Sequence, residues 1–520
     1  MPVWAGSLII AAYSMESNHK RIVKNSAYMY IRMIFIMLVS LYTSRVVLEV
    51  LGVEDFGIYT LVGGIVSIFT VLSGSLSGSV QRFLNIGLGE GDMEKTKGYF
   101  AQSLSIFLII FFTFLVVGET LGGWFVERRL NIPPGREEAT FWVYQFSLAA
   151  VLFSILQIPF SGAVIARERM GFFALLGILD VCARLVVVVL LHKYGSPDNL
   201  ITYAAIIAAI QIMQTLAYMV FALVKFPECV LGLQWNRNLV KEMLSFMGLS
   251  FWGNTMVTFT QQGVNVLLNL FGGTMLNAAT GVARQVNVAV LRMVECINTP
   301  IRPQIVKSYA AKDFAQMTLL FEKNTKYSVM LMAILLFPLV LEAEFILDVW
   351  LKDVPEHAVM FTRIVLLESF FAVFSYSMAA VVGATGKLMR MEVWGRFITL
   401  VVLPVAYLVL KSGGEPVWAL LISLVAQMLY VVYLFTDLKG KISLDVRAYW
   451  KNVLRPIVLL VSSLALTAGA ECLFIGEGVA RFFIVGFTTV LVGGAVIWFG
   501  CLDKTEKEFV SKLLKNDSAG

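Results

Sequence analysis

The sequence has little charge, little histidine and little cysteine. Charged residues make up 15% of the 520 residues and apolar residues 58%, whereas roughly a quarter of an ordinary soluble domain is charged. A water-soluble fold could not cover so much apolar surface. Three histidines and five cysteines without CxxC spacing predict neither a metal site nor a disulfide framework. The chain lacks a GxxxxGK[ST] phosphate loop, so we expect no cofactor and no direct use of ATP.

Apolar runs of about 20 residues recur along the chain, each long enough to cross a hydrocarbon core of about 30 Å as a helix. Runs such as LSIFLIIFFTFLVV do not alternate as the strands of a β-barrel would. The sequence therefore predicts an all-α polytopic membrane protein with about 14 transmembrane helices. The predicted spans are 26–49, 56–86, 98–126, 139–163, 170–193, 199–224, 242–271, 276–305, 324–346, 358–383, 391–411, 416–437, 453–474 and 478–501.

The first residues, MPVWAGSLIIAAYS, are too short an apolar stretch to span a membrane and have no basic residue ahead of them, so they do not resemble a secretory signal. We expect residues 1–19 to be an N-terminal extension and Met15 to be the natural start. An interfacial N-terminal segment is the alternative.

Lysine and arginine are distributed unequally between the two ends of the predicted spans. About 26 lie at one set of alternate ends, which includes residues 20–24 and the tail 503–520, and about six at the other set. The positive-inside rule then places both termini in the cytoplasm.

An internal repeat relates the two halves of the chain. Gly52 and Arg82 are followed 220 residues later by Gly272 and Arg302, and the same offset carries span one onto span seven. We expect an N-terminal six-helix bundle (20–225) and a C-terminal one (226–437), followed by an extra helix pair (438–502). An even number of helices gives a parallel pseudo-twofold repeat, with a central cavity between the bundles.

Two predicted spans carry polar faces when placed on a helix at 100° per residue. The eighth collects charge and amides within about 80°, and the seventh collects hydroxyls and amides within about 100°, which predicts a water-filled cavity. The residues concerned are Arg284, Asn287, Glu295, Asn298 and Arg302 in the eighth, and Asn254, Thr258, Gln261, Gln262, Asn265 and Asn269 in the seventh.

Arginines in and near the spans are the informative charges, because intramembrane charge is costly and usually faces a partner or water. Six of them outnumber the two acids Glu49 and Glu295 on the predicted cavity faces: Arg32, Arg45, Arg82, Arg284, Arg292 and Arg302. Such a cavity suits an anion, plausibly a pyrophosphate, since arginine binds phosphate in a bidentate manner.

Structural roles remain open for several of these charges. Arg45 has the spacing to pair with Glu49 near the outer membrane face, and Arg32 has the reach to snorkel to lipid headgroups. Asp180 with Arg184 and Glu392 with Arg396 are i, i+4 pairs that we expect to be structural. Arg363, Glu368 and Gln427 receive no assigned role.

Span two ends in the small-residue stretch SGSLSGSVQRFLN, where the GxxxG spacing of Gly74 and Gly78 predicts close helix packing. Arg82 then falls near the inner membrane face. It either meets an anion at the cytoplasmic entrance or marks the cytoplasmic side, and the polar stripe around its repeat partner Arg302 favours the entrance role.

Three stretches carry a resemblance to a known family: SRVVLEVLGVEDFGIYTLVGGIVSIF, VQRFLNIGLGEGD and PFSGAVIARERMGFFALLGILDVCARL. The chain resembles the polysaccharide-transport branch of the multidrug/oligosaccharidyl-lipid/polysaccharide exporter superfamily, the group of Wzx-type O-antigen flippases. The likeness covers about residues 20–450, and LGxxDFGIY and ARERMGFFALL are its moderately specific motifs.

The resemblance implies a flippase, not an enzyme, in the bacterial inner membrane. It implies that undecaprenyl-pyrophosphate-linked oligosaccharide moves from the cytoplasmic to the periplasmic leaflet by alternating access, coupled to Na⁺, H⁺ or the membrane potential. Related lipid flippases line their cavity with arginines, which here correspond to Arg32, Arg45, Arg82, Arg284 and Arg292. Glu49 and Glu295 are candidate ion-coupling residues. The expected partners are the lipid-linked glycan, membrane lipid and other polysaccharide-assembly proteins, with no nucleic acid.

Two other functions are consistent with parts of the sequence. An ion-coupled multidrug antiporter of the same superfamily would need a cavity dominated by acids and aromatics, which the arginine excess disfavours. An O-antigen polymerase or ligase would need a large periplasmic loop, whereas the outer loops here have roughly 12–16 residues.

Overall fold

The computed structural model describes residues 3–124, 126, 134–351, 354–442, 444–474, 478–504 and 506–508. Within these ranges the regular secondary structure is helical and no strand occurs. The predicted all-α fold is therefore confirmed.

The helices are named here in chain order, and four π-helical turns continue or precede them. The helices are α1 Val3–Glu90, α2 Met93–Val117, α3 Glu137–Ala166, α4 Met170–Tyr194, α5 Asn199–Lys225, α6 Arg237–Ala310, α7 Phe314–Leu341, α8 Ala343–Trp350, α9 Ala358–Thr385, α10 Gly395–Leu400, α11 Val402–Lys411, α12 Val417–Lys441, α13 Val446–Tyr449, α14 Arg455–Phe474 and α15 Val479–Val496. The π-helical turns are Gly118–Gly122, Arg390–Trp394, Trp450–Leu454 and Ile497–Cys501.

Ten helical stretches of the described chain are long and apolar enough to cross a membrane, and the chain is a multi-pass membrane protein. They are Met93–Gly122, Glu137–Ala166, Met170–Tyr194, Asn199–Lys225, Phe314–Leu341, Ala358–Thr385, Arg390–Lys411, Val417–Lys441, Val446–Glu471 and Val479–Cys501. The other four predicted spans lie inside the two long helices α1 and α6, so the count of fourteen stays a prediction.

One predicted boundary differs clearly from the structure. The helix that holds residues 324–341 of predicted span 324–346 begins at Phe314, ten residues earlier, and ends at Leu341. The prediction began the span after the charged residues Glu322 and Lys323, because charge usually marks a membrane surface. The helix itself continues through them.

A glycine with positive φ interrupts each long helix. Gly52 has φ 75° and ψ 172°, and Gly273 has φ 71° and ψ −165°. This backbone region is essentially restricted to glycine, because a Cβ would clash there. Each long helix therefore consists of two segments joined at glycine. The interrupting residue of α6 is Gly273, one position after the Gly272 that the 220-residue repeat predicted.

Aspartate and asparagine side chains cap the starts of several helices. Asp92 accepts from the backbone N–H of Lys95, and Asp198 and Asn236 each accept from two backbone N–H groups in the first turns of α5 and α6. Such caps satisfy amide donors that have no partner within the helix. The caps explain why α2, α5 and α6 begin where they do.

Close packing occurs at more than one place near the end of α1. Gly74 lies outside the residues whose side chains are described, and a Cβ added at Gly78 would meet nothing within 4 Å, but Val80 of the same stretch lies 3.0 Å from where a Cβ on Gly162 of α3 would be. A Cβ at Gly87 would lie 2.3 Å from Thr96 Oγ1, and one at Gly89 would lie 2.5 Å from the Lys307 carbonyl oxygen. Gly87 and Gly89 are thus the residues of α1 that let neighbouring backbone approach.

The chain divides into two compact units. Unit 1 comprises residues 1–251 and 299–313, and unit 2 comprises residues 252–298 and 314–520. Each unit has its own buried apolar cluster, around Phe83 and Phe100 in unit 1 and around Leu268 and Phe361 in unit 2. The sequence-based division into two six-helix bundles and a helix pair stays a prediction.

In unit 1, the turn between α3 and α4 is held by buried ion pairs. Arg167 makes two hydrogen bonds to the fully buried Glu228, at 2.6 and 2.7 Å, and these hydrogen bonds raise the pKa of Arg167. Glu168 accepts from Lys307 at 2.6 Å and from Gln304. The ARERMG stretch of the family resemblance therefore connects three parts of the chain: the α3–α4 turn, the segment at Glu228 and the end of α6.

Candidate functional site

The second segment of α6 (274–310) carries the charged stripe that the sequence predicted. The stripe divides into an inner edge, which contacts other helices of unit 2, and an exposed part. Arg284, Asn287 and Asn298 lie on the inner edge and are half-buried. Arg292 and Glu295 are exposed. The two groups face different surroundings although they share one helix face.

The inner edge is satisfied by polar residues of α7 and α9. Asn287 accepts a short hydrogen bond from Ser369 of α9. Asn324 of α7 donates to Asn298 at 2.7 Å and to Ser377 at 3.2 Å. Such bonds between helices stabilise membrane proteins by roughly 0.6–2 kcal/mol each. Asn287 and Asn298 therefore hold unit 2 together.

Arg284 has an acidic neighbour that the sequence left without a role. Glu368 of α9 interacts electrostatically with the Arg284 guanidinium. Glu368 is thus a third acid beside Glu49 and Glu295, so the excess of arginines over acids is smaller than the sequence predicted. The detectable signal was the presence of a carboxylate within span 358–383, although its pairing depends on the packing of α6 against α9.

Arg292 and Glu295 stand three residues apart on the exposed part of the stripe. Arg292 lies one helical turn before Glu295, so the two heads project from neighbouring positions. The segment coincides with predicted span 276–305, and in a span exposed charge would be costly in lipid and tolerated beside water. These two side chains are the part of the stripe best placed to meet a ligand.

The first segment of α6 (237–272) exposes most of its predicted amide face. Asn254, Gln261 and Asn269 are exposed, as are Thr258 and Gln262. The remaining member, Asn265, is half-buried and donates to Gln262 at 3.0 Å. Uncharged hydrogen-bonding groups in this arrangement suit a hydroxyl-rich ligand.

The predicted pair of Glu392 and Arg396 forms next to this segment. Arg396 Nε lies 3.3 Å from Glu392 Oε2, and its guanidinium lies 4.9 Å from the Tyr430 ring centroid. A Cβ at Gly253 would overlap the Glu392 carboxylate, so glycine is required for this approach. The predicted i, i+4 contact therefore forms, and its structural role stays a prediction.

In unit 1, Arg32 of α1 rests on a surface formed by α4. Its guanidinium lies 4.7 Å from the Phe173 ring centroid, and a Cβ added at Gly177 would lie 2.4 Å from Arg32 Nε. Asp180 and Arg184, on the same helix, pair at 3.0 Å as predicted. Gly177 thus provides the space in which the Arg32 head lies.

Arg82 is buried, with 9% of its surface exposed. Its guanidinium lies between Phe83 and Phe246, at 4.9 and 4.6 Å from the ring centroids. Burial between aromatic rings is typical of a packing role and less suited to the predicted entrance role. Its repeat partner Arg302 is exposed.

The outer predicted pair is described in part. The Arg45 side chain lies outside the described residues, and Glu49 is exposed. The predicted Arg45–Glu49 pair and the coupling role of Glu49 stay predictions. In the described part of the chain, no group of three or more His, Cys, Asp or Glu side chains could hold a metal ion.

Comparison with known proteins identifies the fold. No family model matches the chain. An uncharacterized membrane protein, EpsK of Bacillus subtilis (strain 168), is 29% identical over 96 residues. The matched part spans 18% of this chain and 18% of that relative's length.

Solved structures match much more of the chain. An outward-facing multidrug resistance MATE family transporter of the MOP superfamily has a TM-score of 0.71 at 16% identity, covering 82% of this chain and 96% of that one. A MATE structure in the straight conformation gives a TM-score of 0.70 at 16% identity, with 82% and 96% covered. A MOP superfamily transporter from Pyrococcus furiosus Vc1 (DSM3638), for which reverse polarity of the binding pocket suggests a different function, gives 0.69 at 15%, with 83% and 96% covered. The chain has the fold of these proteins.

Proposed function

We propose that this protein is a membrane transporter that moves a polyprenyl-pyrophosphate-linked oligosaccharide from the cytoplasmic to the periplasmic leaflet of a bacterial inner membrane. Both termini lie in the cytoplasm in this proposal, as the charge distribution favours. The observation that carries it is the exposed polar face of α6, with amides on the first segment and Arg292 and Glu295 on the second.

A polar face of this length would be costly against lipid, so we infer that it borders water. The amides of the first segment offer donors and acceptors to sugar hydroxyls. Arg292 offers a planar cation to a phosphate. The two segments together therefore match the two chemical parts of a lipid-linked glycan head, while the lipid tail remains in the bilayer.

Support for an anionic substrate also comes from unit 1. Arg32 is held on Phe173 in the space left by Gly177. An arginine positioned in this way loses little side-chain freedom when it binds an anion. Arg302 is exposed and provides a further cation, and Glu49 and Glu295 are the candidates for binding a coupling Na⁺ or H⁺.

The fold is compatible with substrates of different charge. Its neighbours include multidrug transporters and a protein whose pocket is described as having reverse polarity. The fold therefore does not discriminate between a cationic drug and an anionic glycan, and the side chains of the site determine which is bound.

A second candidate is an ion-coupled multidrug antiporter. The observation that favours it is the set of acids near the stripe in unit 2, because Glu368 interacts electrostatically with Arg284 and Glu295 is exposed. If Glu295 rather than Arg292 bound the substrate, a cationic substrate would be selected.

The discriminating experiment compares Arg292→Ala with Arg237→Ala in a strain that lacks its own flippase. Arg237 is an exposed arginine at the start of the same helix and lies outside the stripe. Loss of a hydrogen bond to a charged group costs about 1.5–3 kcal/mol, so we expect Arg292→Ala to reduce surface polysaccharide by roughly ten-fold or more at equal expression. Arg237→Ala should complement normally.

Drug efflux is tested in the same strain. Deletion should cause lipid-linked intermediates to accumulate without a change in drug sensitivity. Raised drug sensitivity without accumulated intermediate, or full complementation by Arg292→Ala, would contradict the flippase proposal.

A further inference from the structure

A pocket lined by charged residues lies in unit 2, away from the α6 stripe. It has a volume of about 370 Å³, which is within the range of small-molecule sites. Its walls come from the start of α7, the start of α14 and the residues that follow α15. By the predicted topology, this is the cytoplasmic end of the membrane-spanning helices.

The floor of the pocket is a buried ion pair. Lys326 Nζ lies 2.8 Å from Glu506 Oε2, and their side chains are 7% and 6% exposed. Tyr327 also donates to Glu506, at 2.6 Å. These contacts compensate the charges of the floor and fix the chain after α15 against α7.

The remaining acids are engaged within the protein. Glu322 accepts from Asn452 at 3.0 Å. Asp503 accepts from the backbone N–H of Glu506 at 2.8 Å. Neither carboxylate is therefore directed at the pocket without a partner.

The rim of the pocket is cationic. Lys451 and Arg455 are exposed and make no ion pair with another described residue. Lys323 lies 3.9 Å from Glu506, which it shares with Lys326. The lining holds four cations and three carboxylates, and the two cations on the rim that make no ion pair with another described residue give it a site for an anion.

Both flanking walls contain π-helical turns, Trp450–Leu454 and Ile497–Cys501. Pro456 has no N–H to donate, which accounts for the wide turn before it. Single π-helical turns are rare and frequently mark functional sites. Cys501 donates to the Pro456 carbonyl at 3.3 Å, so the turn after α15 contacts the start of α14 directly.

The sequence order along α14 distinguishes a lipid from a soluble anion. Lys451, in the π-helical turn before α14, Arg455, at the start of α14, and Leu459, one turn further along α14, all line the pocket, so two cations are followed by a leucine along the same wall. Leu459 is 38% exposed and Val458 beside it is 54% exposed. A phosphate at the cations would have its attached acyl chain running along this apolar surface.

We propose that the pocket binds the phosphodiester headgroup of an anionic membrane lipid, with Lys451 and Arg455 contacting the phosphate and Leu459 the start of the acyl chain. Basic pockets between transmembrane helices on the cytoplasmic side are suited to anionic headgroups. The site is separate from the proposed transport site, so its failure would leave the transport proposal standing.

The test uses the purified full chain in neutral detergent, with phosphatidylglycerol and phosphatidylcholine as probes and native mass spectrometry as the readout. Each basic residue near an anionic lipid contributes about 1 kcal/mol, or about five-fold in affinity. We expect the double variant Lys451→Gln/Arg455→Gln to bind phosphatidylglycerol about 25-fold more weakly, with phosphatidylcholine binding unchanged.

Two controls separate this site from general charge effects. Lys439→Gln/Lys504→Gln removes the same charge from exposed positions on the same predicted side that do not line the pocket, and it should bind as the wild type does. Lys451→Arg keeps the charge and should also bind normally. Both pocket substitutions are at exposed positions, so the fold should be kept, which an unchanged unfolding midpoint would verify.

The lipid source is tested with soluble glycerol 3-phosphate added alone. Weak binding of this probe, with tight binding of phosphatidylglycerol, supports a lipid site. Equal affinity of both probes would overturn the lipid assignment, and equal affinity of wild type and double variant for phosphatidylglycerol would overturn the site itself.

Discussion

Replacing Glu168 by alanine tests the buried contacts that hold the α3–α4 turn of unit 1. The Glu168 carboxylate is 2% exposed and accepts from Lys307 Nζ at 2.6 Å and from Gln304. Its backbone carbonyl accepts from Asn25 at 3.2 Å. Alanine removes the carboxylate contacts and keeps the backbone contact.

The magnitude follows from what is left behind. Breaking a buried ion pair by removing one partner costs about 3–5 kcal/mol, because the other charge stays buried. Lys307 is 22% exposed and regains some water, so we expect about 2–3 kcal/mol for Glu168→Ala, including the unsatisfied Gln304 amide. Glu168→Gln keeps the side-chain volume and one hydrogen-bond acceptor, so its free energy of unfolding should fall less than that of Glu168→Ala.

The backbone offers an internal control. Glu168 has φ 57°, and this left-handed conformation costs a residue other than glycine about 1 kcal/mol or more. Glu168→Gly removes the same carboxylate and relieves this cost, so it should be about 1 kcal/mol more stable than Glu168→Ala. The difference separates the side-chain contribution from the backbone contribution.

The assay is reversible unfolding in mixed micelles with increasing denaturing detergent, followed by circular dichroism. A Glu168→Ala variant whose free energy of unfolding stays within about 0.5 kcal/mol of the wild type would refute the reasoning. Equal stability of the alanine and glycine variants would refute the backbone part alone.

Two further predictions concern Arg32 and Glu506. Gly177→Ala places a Cβ where the Arg32 head lies, so we expect transport to fall several-fold. The control Gly486→Ala, whose Cβ meets nothing within 4 Å, should have no effect. Normal transport by Gly177→Ala would argue against a substrate role for Arg32. Desolvation raises the pKa of Glu506, but hydrogen bonds from Lys326 and Tyr327 outweigh it and hold the pKa below its ordinary value of 4.5. The stability that this lowered pKa contributes is present above pH 4.5 and is lost as pH falls through the folded-state pKa. Glutamine does not titrate, so the unfolding midpoint of Glu506→Gln should fall less than that of the wild type between neutral and acidic pH.

The fold class followed directly from the sequence, because length and apolarity alone decide whether a helix spans a membrane. Boundaries were less predictable where charge lies within a helix. The start of α7 is the clearest case. Glu322, Lys323 and Lys326 line the pocket between α7 and α14 and do not mark the end of a helix. Spacing reveals a local pair such as Asp180–Arg184, but it does not reveal a partner 180 residues away.

The same limit explains which parts of the candidate site were found. The polar face of α6 is a local property of one helix, so spacing alone suggests it, and most of its members on the first segment are exposed. The partners of its inner edge lie on α7 and α9, and no sequence spacing connects Asn298 with Asn324 or Arg284 with Glu368. In the small-residue stretch of α1 the close contact described is at Val80 with Gly162 and not at Gly78, since glycine permits contact but the neighbouring helix decides where it occurs.

Three arginines among the described residues have different surroundings, and these surroundings matter more than the number of arginines. Arg82 is enclosed by aromatic rings, Arg284 interacts electrostatically with Glu368, and Arg292 is exposed on a polar face. Arg292 can change partners without disrupting packing, because its side chain is not part of the folded core. A ligand that binds and leaves during transport must be met by groups of this kind, which is why Arg292 is the residue whose substitution most directly tests the proposed function.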